Sequence, residues 1–300
     1  MRTRQYPLAE FGSDPYLAPF SDRLTQRRAY TEAVQSRLLR GGNSLAEFAS
    51  GHEHFGLHKG QTSWFFREWA PNATAIHLVG DFTNWQLAPA FGLQRKAHGE
   101  WAGSWPLDRL QHGQHFHLVI HWHGGSGTRL PAWTRRVVQD DSTKIFTAQV
   151  WAPEPYEWQH EFVVPAQAPL IYEAHVGMAT EENRVGTYVE FRDNILPRVI
   201  ESGYNTLQLM AVMEHPYYGS FGYHVANFFA SSSRFGTPEE LKSLIDAAHA
   251  AGLAVIIDLV HSHSVKNEAE GLSSFDGTRY QYFHAGPRGE HSAWDSLCFD

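Results

Sequence analysis

The chain has 300 residues, a length that predicts about two domains. Hydrophobic residues make up 42% and charged residues 19%, which excludes a disordered or fibrous chain, and no window of about 18 apolar residues is present to span a membrane. The 24 basic against 32 acidic residues give a net charge of −8, which argues against a nucleic-acid partner, and the single cysteine, Cys298, permits no internal disulfide, which suits the cytosol.

Residues 1–50 read as a helical lead. Pro7, Pro15 and Pro19 keep the first twenty residues irregular, and no apolar stretch follows Met1 to suggest a secretory signal. Residues 21–39 predict a helix with Leu24, Ala29, Val34 and Leu38 as packing positions and Gly41-Gly42 as its stop, and 44–48 predict another turn or two. From about residue 51 to 152 the period changes. Trp64-Phe-Phe-Arg-Glu-Trp69 and Ala75-Ile-His-Leu-Val79 read as strands parted by a turn at Pro71-Asn72. Residues 101–107 and 115–122 continue the pattern, the latter with Phe116, Leu118, Ile120 and Trp122 on one face, and His123-Gly-Gly-Ser-Gly127 reads as a flexible loop. Short strands at this spacing predict an all-β sandwich of the immunoglobulin-like kind.

A proline-rich connection covers residues 153–169, and strand–helix alternation begins at Leu170. Residues 170–176, 205–213 and 253–260 read as strands, and 188–202 as a helix closed by Gly203. Thr237-Pro-Glu-Glu240 is a strong helix start: threonine caps, proline takes the first position and Glu240 completes a capping box. This order predicts parallel strands buried on both faces.

In such folds chemistry collects at the C-terminal ends of the strands, here Glu173 to Gly177, Met213 to His215 and Asp258 to His263. Asp258, inside an apolar run, either points into a polar cleft or pairs with a basic neighbour to hold the fold together. His261 and His263 would share a face if the strand continued that far, and nothing in their spacing calls for a metal ion. The chain also carries 10 Trp, 19 Phe and 19 His. Aromatic faces suit sugar rings, although most of these rings are expected in the core.

Asp258-Leu-Val-His-Ser-His263 resembles the first conserved region of the alpha-amylase family. Ile171-Tyr-Glu-Ala-His-Val-Gly177, Met213-Glu-His-Pro-Tyr-Tyr-Gly-Ser-Phe-Gly-Tyr-His224, Phe283-His-Ala-Gly-Pro-Arg-Gly289 and Trp294-Asp-Ser296 resemble the 1,4-alpha-glucan branching enzymes of that family. Arg67-Glu-Trp-Ala-Pro71, Gly80-Asp-Phe-Thr-Asn-Trp85 and Arg129-Leu-Pro-Ala-Trp133 resemble a family-48 carbohydrate-binding module. The resemblance covers about residues 50–300. It implies that Tyr223 stacks on the glucose at the cleavage point, that Asp258 organises the sugar, and that His263 hydrogen-bonds a hydroxyl of the same glucose. His215 and Tyr218 would line the cleft wall, and Trp85 and Trp133 would either touch glucan on the module or lie in its core. The implied substrate is an α-1,4-glucan and the implied reaction a retaining transfer to a 6-hydroxyl, with no metal, nucleotide, nucleic acid or membrane involved.

The chain departs from the family in one respect. From Leu170 to Asp300 there are 131 residues, whereas a closed (β/α)₈ barrel needs about 200–250. The expectation is an incomplete barrel of about three strands in residues 170–300, without the family's nucleophile and general acid, so that the chain looks truncated and would be inactive alone. Non-catalytic glucan binding is the alternative. The third strand would be an exposed apolar edge, prone to aggregate or unfold while residues 55–150 stay folded.

Overall fold

The computed structural model describes residues 14–39, 44–162, 164–165 and 167–300. The expected Gly41-Gly42 stop and Pro7 lie outside them. The chain divides into two compact units, residues 1–54 and 55–300.

The first unit holds helix α1 (Ser21–Leu38) and the short helices α2 (Leu45–Phe48) and α3 (Gly51–His54). Ser44 and Glu47 form a reciprocal capping box that starts α2. No residue of α1 is fully buried; of the expected packing positions Leu24 and Val34 are half-buried while Ala29 and Leu38 are exposed. The four apolar positions are spaced 5, 5 and 4 apart rather than 3 and 4, so they do not gather into one stripe.

The second unit opens with two antiparallel sheets. One has the order β1 (Gly56–Lys59), β2 (Ser63–Trp69), β5 (Glu100–Pro106), β4 (Gln94–Arg95). The other runs β3 (Ala73–Gly80), β6 (His115–Trp122), β9 (Phe146–Gln149), β8 (Val137–Gln139), with β7 (Gly125–Arg129) also on β6. The alternation of β2 turns Trp64 and Phe66 inward to meet Ile76, Leu78, Phe116, Leu118 and Ile120 from the other sheet. Each such side chain contributes about 1.5–3 kcal/mol by leaving water. The buried indoles are satisfied: Trp64 donates to Leu110 O at 3.1 Å, Trp101 to Ala70 O at 3.0 Å and Trp105 to Ala90 O at 2.7 Å. The expected loop at 123–127 is instead a hairpin. Only His123 and Gly124 turn, and Gly125 already pairs with Trp122. The Arg129 guanidinium over the Trp122 ring, 5.4 Å away, clasps the two strands together.

After an irregular connection come three parallel strands, ordered β10 (Ile171–Ala174), β11 (Thr206–Leu209), β14 (Ala254–Ile257). The connection is strapped down by Asp246, which accepts from the backbone of Gln159 and His160 and from the Tyr156 hydroxyl. Between β10 and β11 lie α4 (Tyr188–Glu190) and α5 (Leu196–Glu201), joined by a π-helical turn at Phe191–Ile195 rather than forming one regular helix. Pro197 has no N–H to return to Asp193, and the ladder widens ahead of it. Before β14 comes α6 (Pro238–Ala250), whose Thr237–Glu240 capping box is formed as the sequence predicts.

All three runs are shorter than expected. β11 ends at Leu209, after which β12 (Met213–Glu214) turns away to pair antiparallel with β13 (Asn227–Ser231). The strands are not buried on both faces. Leu207, Leu209, Leu244, Ala248 and Phe191 close one face, but Ile171, Glu173 and Ile256 on the other are exposed. A closed barrel fills that inner face with side chains from its alternate strands.

The sandwich core continues into Leu272, Phe275, Phe283 and Leu297, which belong to the long segment after β14. That segment carries β15 (His263–Val265) paired with β16 (Ser296–Cys298). Leu130 N donates to Ala269 O, Arg129 to Ser274 O, and Asn72 bonds Asp276 through both its backbone and side-chain nitrogens. Gly277, at φ +86°, lets the backbone pass so close to Trp122 that a Cβ would lie 2.4 Å from the ring.

Candidate functional site

Asp258 is the first residue beyond β14, its N–H still donating to Leu209 O on the neighbouring strand at 3.1 Å. Its carboxylate is held from two sides: Gln208 Nε2 donates to Oδ1 at 2.9 Å and the Tyr223 hydroxyl to Oδ2 at 2.6 Å. Gln208 also reaches Glu173 Oε1 at 3.4 Å, so one neutral amide spans two carboxylates on three adjacent strands. A carboxylate has about four acceptor positions, which leaves Asp258 room for hydroxyls of a ligand.

Tyr223 is aimed by the two residues before it. Phe221 and Gly222 both take left-handed backbone, φ +54° and +90°, and a Cβ at Gly222 would fall 1.9 Å from Ala211 O. The ring then packs against Ala211, Met213, Val225 and Val260. Burial, with Asp258 beside the phenol, pushes its pKa above the usual tyrosine range, so it remains a donor.

His263 joins the group from β15. Its Nε2 lies 3.2 Å from Tyr223 O and its Nδ1 2.9 Å from the Ser262 hydroxyl. A carbonyl only accepts, so Nε2 donates and Nδ1 receives the Ser262 proton. Burial, and then the neighbouring His291, lower its pKa and keep the ring neutral. Both nitrogens therefore have protein partners, and the expected contact to a sugar hydroxyl requires one of them to let go. His261 does not share its face: the strand stops at Ile257 and His261 is exposed.

Tyr223, Asp258 and His263 thus come together at the C-terminal ends of the parallel strands, whereas His215 packs towards Phe235 and Tyr218 joins the apolar cluster of Leu207, Leu209 and Phe191. His215 is 0% exposed, holds Met213 O at 2.8 Å through Nδ1 and packs towards Phe235, and burial lowers its pKa to about 4. Its ring is enclosed in this structure, and its buried Nε2 has no hydrogen-bond partner. Tyr218 is half-buried against His175.

On the module, Trp85 and Trp133 separate. Trp133 is half-buried and stacks on Phe55 at 5.3 Å and on Phe229 at 4.3 Å. Trp85 is 42% exposed, with its indole N–H on Asp81 Oδ1 at 3.0 Å and its ring edge-on to His117. It borders a hollow of about 770 Å³ with His115, Val138, Asp140, Ile145 and Thr147.

Sequence reasoning passed over Gln208, the role of Glu173 within the group, and the ring cluster of His224, His291 and Trp294 beside His263. A signal for Gln208 was present: it is the one polar residue in Leu207-Gln-Leu209, on the same side of the sheet as Glu173 and Asp258.

Comparison with known proteins gives the family and the fold. Carbohydrate-binding module 48 (Isoamylase N-terminal domain) matches residues 54–141, and the alpha amylase catalytic domain matches residues 199–295. The chain is 46% identical over 298 residues to a 1,4-alpha-glucan-branching enzyme of Yarrowia lipolytica, and 42% identical over 294 residues to one of Dictyostelium discoideum. Each alignment covers 96% of this chain and 43% of the relative, so the chain spans less than half the length of these enzymes. Among solved structures, a pullulanase from Bacillus acidopullulyticus (TM-score 0.66, 20% identity, 82% of this chain and 34% of that one) shares the fold. So does a putative alpha amylase from Salmonella typhimurium (TM-score 0.63, 22% identity, 81% and 38%). No helix among the described residues is long and apolar enough to cross a membrane. The chain is thus a homologue of the N-terminal part of the 1,4-alpha-glucan branching enzymes, a module-48 domain followed by the first part of an alpha-amylase catalytic domain.

Proposed function

We propose that the chain binds α-1,4-glucan and supplies the sugar-positioning part of a branching enzyme, which moves an α-1,4-glucan segment to a 6-hydroxyl and so makes an α-1,6 branch. The observation that carries this reading is the hydrogen-bonded Tyr223–Asp258 pair at the ends of three parallel strands, with His263 holding the Tyr223 backbone. Tyr223 offers a flat face to a glucosyl ring, and Asp258 offers carboxylate oxygens as acceptors to its hydroxyls. The retaining reaction needs a carboxylate nucleophile and a carboxylic acid about 5–5.5 Å apart across the glycosidic bond. In this reading neither role is given to a residue of these 300. A cytosolic location goes with the reading, supported by the lone cysteine.

The test has two parts. Maltoheptaose should bind the chain and lose affinity on Asp258→Ala, while amylose incubated with the chain should keep its iodine colour. Lost iodine colour with new α-1,6 linkages would refute the placement of the reacting carboxylates outside these residues. A second reading, glucan binding without catalysis, is supported by the exposed Trp85 beside its hollow on the module. It is favoured if Trp85→Ala abolishes binding and Asp258→Ala does not.

A further inference from the structure

Trp294 is 54% exposed, yet it is not loose. One face of its indole lies flat on His291, with ring centroids 4.5 Å apart and planes 9° apart. The ring lies 5.0 Å from His263, whose Nε2 holds the Tyr223 carbonyl. The short loop beneath it is tied throughout. His291 Nδ1 accepts from the backbone N–H of both Ala293 and Trp294, which fixes its tautomer and its plane. Ser296 N donates to Trp294 O at 2.8 Å and His291 N to Ser296 O at 3.0 Å. Lys266 pins both ends, with Glu290 at 2.6 Å and Asp295 at 2.8 Å.

A large apolar ring left in water would ordinarily fold back on the surface to hide. Here the backing ring and the tied backbone hold it out, so the ordering entropy is spent before any ligand arrives. We propose that the open face of Trp294 is a stacking platform for one glucosyl ring of an α-glucan, next to the Tyr223–Asp258 group. This rests on the glucan reading above. The axial C–H groups of a glucosyl ring would lie on the indole while its hydroxyls stay in water.

Calorimetric titration of maltoheptaose into the chain carrying Trp85→Ala, which silences the indole on the module, tests this. Trp294→Ala should weaken binding about tenfold, Trp294→Phe should retain most of it, and Trp294→Leu, apolar but without a flat face, should lose as much as alanine. Circular dichroism on each variant reports folding. Full affinity in the leucine variant overturns the platform. If Tyr223→Ala then still loses affinity, the glucan reading stands without the platform. A folded Trp85→Ala chain that binds no maltoheptaose overturns the platform and the sugar-positioning role of the Tyr223–Asp258 group, and leaves glucan binding to the module alone.

Discussion

Gly222 shows how much of the site depends on single atoms. Gly222→Ala adds one methyl that meets Ala211 O at 1.9 Å on left-handed backbone, so the turn must shift and Tyr223 with it. The expected outcome is loss of maltoheptaose binding together with a lowered Tm. Tyr223→Phe is milder: it keeps the ring and removes the 2.6 Å bond to Asp258, a hydrogen bond worth about 0.5–1.5 kcal/mol. Its affinity should fall about tenfold in titration, with Tm lowered by only about 2–4 °C. Glu68 acts on stability rather than binding. It is fully buried, and burial raises its carboxyl from 4.5 to about 8 although two backbone N–H groups, of Trp69 and Ala132, favour the charged form. The folded state therefore holds a proton that the unfolded chain releases near pH 4.5. Stability from this group is present below pH 4.5 and is lost as pH rises towards about 8. Glu68→Gln should flatten that decline in a Tm series from pH 4.5 to 9; an unchanged slope would show that Glu68 is not its source.

Among the elements, α6 gives the cleanest measurement. Thr237→Ala removes the hydroxyl that accepts from Glu240 N and should cost about 1 kcal/mol in urea unfolding. This cap was legible in four letters of sequence, as were the inward Phe116, Leu118 and Ile120 of β6, because capping and alternation are local rules. The π-helical turn before Pro197 and the pairing of β12 with β13 were not legible, since both are settled by what the chain packs against. The site divides the same way. Asp258 and His263 announced themselves as polar residues closing an apolar run. Gln208 was hidden because its importance lies in reaching Asp258, fifty residues away. His215 misled because its position in a cleft-facing motif says nothing about which way the ring turns, and here it turns into the core.

Over the whole second unit, the sandwich and the segment after β14 share one apolar core from Trp64 to Leu297. Residues 55–300 should therefore melt in a single calorimetric transition. Two separated transitions, with a module that outlives the rest, would favour the independent folding that the sequence suggests. The open edge of β14 is a separate liability. Ile256 is 40% and Leu259 68% exposed beside unpaired backbone, so light scattering should rise with protein concentration, and Leu259→Lys should suppress that rise.

The common core also governs what a long sugar strand could do. Trp85 and Tyr223 belong to one compact unit whose parts share that core. A strand gripped at both points must bridge the gap with its own length. Short oligosaccharides would settle at one end only, while long ones would gain from holding both, so that the frame itself would measure polymer size.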